Sequence, residues 1–188
     1  MSPELPPIRR SVTVSWDQAA AFRRFTQEFA TWWPWRTHSI GGARVRRVVF
    51  ECRPGGLIYE EHTDGRRFQW GVVRDYQPPH RVSFSWHPSR DASTAQEVEL
   101  RFVPFAGHTR VDLVSDKWEN WGRNAHRARK GYDVGWGYVL NVWAGRRTAQ
   151  MALLDGLGLV FRGVALLRGG TRAAIARAGG EIAGGSAM

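Results

Sequence analysis

Side chains with the reactivity for acid–base, nucleophilic or metal chemistry are few and scattered along this chain. The six histidines are His38, His62, His80, His87, His108 and His126. None stands in an HExxH or at metal-ligand spacing with a second histidine or a carboxylate. Cys52 is the single cysteine, so neither an intrachain disulfide nor a cysteine metal cage can form. No Gly-x-Ser-x-Gly elbow, P-loop or dinucleotide fingerprint occurs, and Gly41-Gly42 and Gly55-Gly56 read as turn glycines. A strong catalytic signature is missing. No catalytic residue, metal site or cofactor is expected.

Three groups of residues remain. Trp32-Trp33-Pro34-Trp35 sets three indoles at the end of a short helical stretch, where they either close the mouth of a cavity or plug a core. Glu60 follows Ile58 at strand spacing, so if Ile58 faces inward the carboxylate does too, and it then needs a cationic or donor partner. Arg74, on the face of Phe68, Trp70 and Val72, is the candidate partner. Such a pair serves either as a structural ion pair or as an orienter of a ligand's polar end, and Glu60 is also the one acid–base candidate. Arg123, His126, Arg127 and Lys130 recur at i, i+3, i+4 and i+7 near a helix start, where the dipole disfavours cations. An anionic partner would account for them, as would plain exposure beside Asp116, Glu119 and Asp133.

The elements that position these residues follow from periodicity. Ile8 to Val14 reads as a strand, with Val12 and Val14 on one face. Ser15 and Asp17 are candidate N-caps for a helical segment carrying Ala20, Phe22, Phe25 and Phe29, which Pro34 ends. From Arg44 to Trp118 the chain reads as consecutive strands, with Thr63-Asp64-Gly65 as a hairpin turn and Gln77-Pro78-Pro79 and Ala106-Gly107 as breaks. The clearest alternation sets Gln96, Val98, Leu100 and Phe102 against Glu97, Glu99 and Arg101. The period then changes, and Tyr132, Trp136, Val139, Leu140 and Trp143 form the apolar stripe of one long helix. A sheet with one apolar face needs a cover, and this helix is the long element at hand.

Composition narrows the function classes. A chain of 188 residues that is 43% hydrophobic, with 10 Trp, 9 Phe and 4 Tyr, has ample material for one buried core, which excludes wholesale disorder. The net charge of +10 comes almost wholly from arginines spread from Arg9 to Arg177 without a dominant block, which favours an evenly solvated surface over a nucleic-acid site. The first residues lack the apolar stretch of a signal peptide and no run reaches a membrane span, so a cytoplasmic location is expected. Residues 1–7 read as a Pro-rich lead-in, 8–149 as one domain, and 150–188 as a Gly/Ala/Arg-rich extension. The apolar part of that extension, Met151 to Leu167, reads as an accessory tail or as a helix with weak membrane-surface association.

An ordered series of short motifs now resembles a known family. It runs through Ser11-Val12-Thr13-Val14, Ala20-Ala21-Phe22, Trp32-Trp33-Pro34, Gly55-Gly56, Tyr59-Glu60, Asp64-Gly65, Gly71-Val72-Val73 and Pro78-Pro79-His80-Arg81 to Trp86. It continues in Thr109-Arg110-Val111 and from Gly131-Tyr132 to Gly135-Trp136. In this order the residues are similar to the SRPBCC (START-like) superfamily, in the branch named after the activator of heat-shock-protein-ninety ATPase, over residues 8 to 147. The resemblance implies an α+β helix-grip fold, a curved antiparallel sheet wrapped around a long C-terminal helix with a cavity between. Members bind lipids, polyketides, hormones or other hydrophobic molecules; a few are enzymes, and some bacterial relatives confer antibiotic self-resistance. Relatives often carry a histidine in the last strand where Ser115 stands here. The chaperone-activating role belongs to larger eukaryotic proteins with a second domain, so no chaperone partner is expected.

The expectation is a small hydrophobic or aromatic ligand held by Trp70, Phe84, Trp86, Val98, Leu100, Trp136 and Leu140. Trp32, Trp33 and Trp35 would sit near the mouth, and Glu60 would supply a polar contact. An enzyme acting on such a compound in the same cavity and a co-chaperone-like interaction module are the alternatives.

Overall fold

The computed structural model describes residues 5–146. The expected extension from 150 onward, with its membrane-surface reading, lies outside the described residues.

The order is β1 (Ile8–Val14), α1 (Gln18–Thr26), α2 (Phe29–Trp32), six strands, and α3 (Ala125–Trp143). The six strands are β2 (Val45–Phe50), β3 (Leu57–His62), β4 (Arg67–Gln77), β5 (Arg81–Trp86), β6 (Gln96–Phe105) and β7 (His108–Asp116). With β1 they form one seven-stranded antiparallel sheet in the order β1-β7-β6-β5-β4-β3-β2, a meander whose last strand closes against the first. The helix-grip expectation is met in both element order and topology. Among the described residues no helix is long and apolar enough to cross a membrane.

Local chemistry explains the boundaries. The Asp17 carboxylate accepts the Ala20 N–H at 2.7 Å and caps α1. Trp33 leaves the helical region at ψ 128 because Pro34 follows it, which ends α2. The β3–β4 turn holds Gly65 at φ 83 and the β6–β7 turn holds Ala106 and Gly107 at φ 47 and 76, the left-handed pair a two-residue hairpin demands. The last turn before α3 was not foreseen. Trp118–Asn124 winds as a 3-10 segment entered through Lys117 at φ 65 and bent at Gly122, so β7 stops at Asp116 rather than Trp118.

One expected register is corrected. Phe68, Trp70 and Val72 do not share the inner face. The β3–β4 pairing shifts between Ile58 and Tyr59, with Trp70 the extra residue, and the β4–β5 pairing shifts again at Arg74. The first shift moves inward burial from Val72 to Val73, which is 1% exposed. Gly71 sits in this bulged stretch, and a Cβ there would collide with the Ser85 carbonyl oxygen, so the close approach of β4 to β5 requires glycine.

The outer face carries much of the charge in cross-strand pairs. Arg81 bridges Asp75 and Glu99, and Arg47 and Arg67 both reach Glu61. Arg123, His126, Arg127 and Lys130 are exposed on α3 and the turn before it. This dispersal agrees with a solvated basic surface rather than one concentrated patch.

Two glycines should respond oppositely to alanine. Gly71→Ala is expected to lower the urea midpoint by the equivalent of about 2–3 kcal/mol. Gly131→Ala, inside α3 with open space at its Cβ position, is expected to raise stability by about 0.5–1 kcal/mol. Equal midpoints for the two variants would contradict the packing described.

Candidate functional site

The inner face of the sheet presents Trp70 from β4, Phe84 and Trp86 from β5, and Val98 and Leu100 from β6, all buried. Opposite them α3 contributes Trp136 and Leu140, also buried. Among the strands, α3 packs its backbone most extensively against β1. Over the central strands, ring side chains span the separation. Trp86 meets Trp136 at 5.4 Å between centroids and Trp70 at 5.6 Å, while Trp33 lies 5.4 Å from Trp70 and 5.5 Å from Trp86. Val98 pairs with Phe84 across the sheet, and Phe84 lies 5.8 Å from Trp86.

The three N-terminal tryptophans part company. Trp33 is 4% exposed and belongs to this central cluster, with its indole N–H donating to the His38 carbonyl at 2.8 Å. Trp32 is half-buried against Phe25 and Phe29, and Trp35 is half-buried under the Arg36 guanidinium. Trp33 thus belongs to the central ring cluster, and Trp32 and Trp35 flank it.

Buried polar atoms distinguish this interior from an ordinary core. Trp118 donates its indole N–H to the Ser115 carbonyl, but the indole nitrogens of Trp32, Trp70, Trp121, Trp136 and Trp143 are buried with no partner. Gln96 Oε1 and Ser115 Oγ, on residues with no exposed surface, are likewise unpartnered. Neither Gln96 nor Ser115 was singled out as a site residue, although Gln96 falls on the inward side of the clearest alternation in the chain.

Glu60 is fully buried, as its spacing from Ile58 predicts, but Arg74 is not its partner. Arg74 lies outside and meets Glu97 at 3.5 Å. The Glu60 carboxylate instead accepts the backbone N–H of Ile40 at 2.8 Å and of Gly41 at 2.7 Å, and its Oε1 lies 2.5 Å from His62 Nε2. The 39–41 loop leads into β2, the pairing partner of β3, and offers two adjacent amides as donors to this carboxylate. Both oxygens hold partners of the chain itself, so Glu60 anchors the loop. Gly41 is obligatory here, because a Cβ would collide with the His62 ring.

The same loop reaches α3 through His38, whose ring stacks on Tyr138 at 4.7 Å and 12° and whose Nδ1 lies 2.9 Å from Thr37 Oγ1. Burial pushes the His38 pKa down from 6.5 to about 3. Burial also lowers that of His87. The unfolded chain therefore binds a proton that the native state refuses, so the stability held above the ordinary histidine pKa is lost as pH falls toward 3.

Glu60→Gln, which sets an amide NH₂ or a weaker acceptor against two backbone donors, is expected to cost about 2–3 kcal/mol in denaturant unfolding; a loss below about 0.5 kcal/mol would contradict the anchor. Between pH 6.5 and 5 the buried His38 alone should remove about 1.5 kcal/mol, and His38→Gln should flatten that slope. An unchanged slope in the variant would contradict it.

Comparison with known proteins agrees with this geometry. Residues 17–142 match the family described as activator of Hsp90 ATPase homolog 1-like protein. No curated protein matches the chain. Among solved structures, an anthrahydroquino-gamma-pyrone synthase in complex with a bound compound is 31% identical, with a TM-score of 0.53, covering 77% of this chain and 99% of its own. The self-sacrificing resistance protein CalC from Micromonospora echinospora is 27% identical, with a TM-score of 0.57, covering 74% and 92%. CalU16 from the same organism shares the fold at 17% identity, with a TM-score of 0.51, covering 86% and 88%. A family match over two-thirds of the sequence, joined to a curved antiparallel sheet gripping a long C-terminal helix, makes this chain a member of the activator of Hsp90 ATPase homolog 1-like family of SRPBCC proteins.

Proposed function

We propose that this chain binds a small, largely apolar aromatic molecule in a cavity between the inner face of β4–β6 and α3. The carrying observation is the aromatic wall of Trp33, Trp70, Trp86 and Trp136, in which the indole N–H groups of Trp70 and Trp136 are buried and unpartnered. Each such donor costs about 1–3 kcal/mol when it is buried without a partner, and an acceptor on a bound molecule would remove that cost. The 31% likeness to a protein named as an anthrahydroquino-gamma-pyrone synthase supports the same reading.

Magnitudes set the ligand's size. One ring burying about 200 Å² contributes about 5 kcal/mol at roughly 25 cal/mol per Å², before the cost of association. Micromolar binding needs about 8 kcal/mol net, so the ligand has two or more fused or linked rings. Chemistry on the bound molecule is a second reading, favoured by the 31% likeness to a synthase. Glu60 already holds the 39–41 loop, so such chemistry would draw first on the other buried polar groups, Gln96 and Ser115.

Titration with 1-aminoanthracene should show saturable one-to-one binding with energy transfer from tryptophan. At a hundredfold excess over Kd it should stabilise the fold by about 2.7 kcal/mol. Non-saturable fluorescence with an unchanged melting temperature would contradict the proposal.

A further inference from the structure

We infer that the β5–β6–β7 end of this cavity is a polar subsite for a ligand carrying both a hydroxyl and a carbonyl oxygen. In this subsite Gln96 accepts the hydroxyl proton, and the indoles of Trp70 and Trp136 donate to the carbonyl. The inference rests on the cavity proposed above and adds the ligand's functional groups.

Gln96 opens β6 directly across from Trp86, and Ser115 lies on the neighbouring strand across from Val98, so both project from the inner face near the central rings. Neither has exposed surface. The Gln96 amide donates through Nε2 to the Thr94 carbonyl at 3.0 Å, which fixes its orientation and leaves Oε1 as a bare acceptor. A bare acceptor calls for a ligand O–H or N–H. The indoles of Trp70 and Trp136, each within 5.6 Å of the Trp86 ring, are donors only and call for an acceptor lone pair, which a carbonyl oxygen offers. Ser115 Oγ, able to give or to accept, completes the set without fixing its polarity. A hydrocarbon would leave all of these unpaired, whereas a hydroxylated aromatic ketone satisfies donor and acceptor at once.

Two pairs of probes of nearly equal shape test the assignment: naphthalene against 1-naphthol, and tetralin against 1-tetralone. Their dissociation constants are measured on the full chain by tryptophan fluorescence. The expected result is that 1-naphthol binds about tenfold tighter than naphthalene, that 1-tetralone exceeds tetralin similarly, and that Gln96→Leu abolishes the first preference while keeping the second. Circular dichroism reports whether that variant is folded; if it is not, the wild-type preferences decide alone. A purely apolar cavity, or one whose polar atoms are served by water, binds the hydrocarbon of each pair at least as well, and that result overturns the subsite while leaving the cavity standing. A preference for 1-naphthol alone overturns the indole part. A preference that survives Gln96→Leu overturns the assignment to Gln96. Failure of all four probes to bind overturns the cavity itself, and the subsite with it.

Discussion

Everything in this structure turns on how the separation between a curved sheet and its gripping helix is filled. The backbone of α3 packs most extensively against β1, and over β5 the sheet and the helix meet through side chains. Small aliphatics cannot reach that far, and the chain uses indoles: Trp86 against Trp136, with Trp70 and Trp33 alongside. Indoles have the required bulk, but each also carries a donor into the interior. Packing satisfies the rings and leaves the N–H groups of Trp70 and Trp136 without acceptors. That mismatch between apolar bulk and unspent polarity is what separates this interior from a plain hydrophobic core.

Around the ring cluster, polar groups that are fully satisfied hold the wall in place. Glu60 grips the amides of Ile40 and Gly41 and abuts His62, and the His62 ring leaves room only for glycine at 41. From the same loop Trp33 reaches back to the His38 carbonyl, and His38 stacks on Tyr138 of α3. Sheet, loop and helix are thus joined on one side by a chain of short contacts. The buried carboxylate acts through position, held by two backbone N–H donors and the His62 ring rather than by an arginine.

Much of this was legible before any coordinates. Strand alternation located β1 and the inward residues of β5 and β6, the helical stripe from Tyr132 to Trp143 located α3, and Ile58 predicted that Glu60 would point in. What escaped has a common physical cause. Bulges at Trp70 and Arg74 break the two-residue period, so Val73 replaced Val72 in the core and Arg74 turned outward to Glu97. Backbone donors have no sequence signature, so the true partners of Glu60 could not be read. Gln96 was visible as an inward residue, but its importance depends on a fixed amide and an unpaired oxygen, which periodicity does not encode.

The central claim is that unpaired indole donors in the wall exist for a ligand. The indole N–H region of a proton–nitrogen correlation spectrum reads those donors one by one as an oxygenated aromatic such as 1-tetralone is added. The account predicts large shifts for Trp70 and Trp136, and little change for Trp33 and Trp118, whose N–H groups are already bonded to the His38 and Ser115 carbonyls. A titration that leaves the Trp70 and Trp136 resonances in place, or moves all the indoles alike, would contradict it.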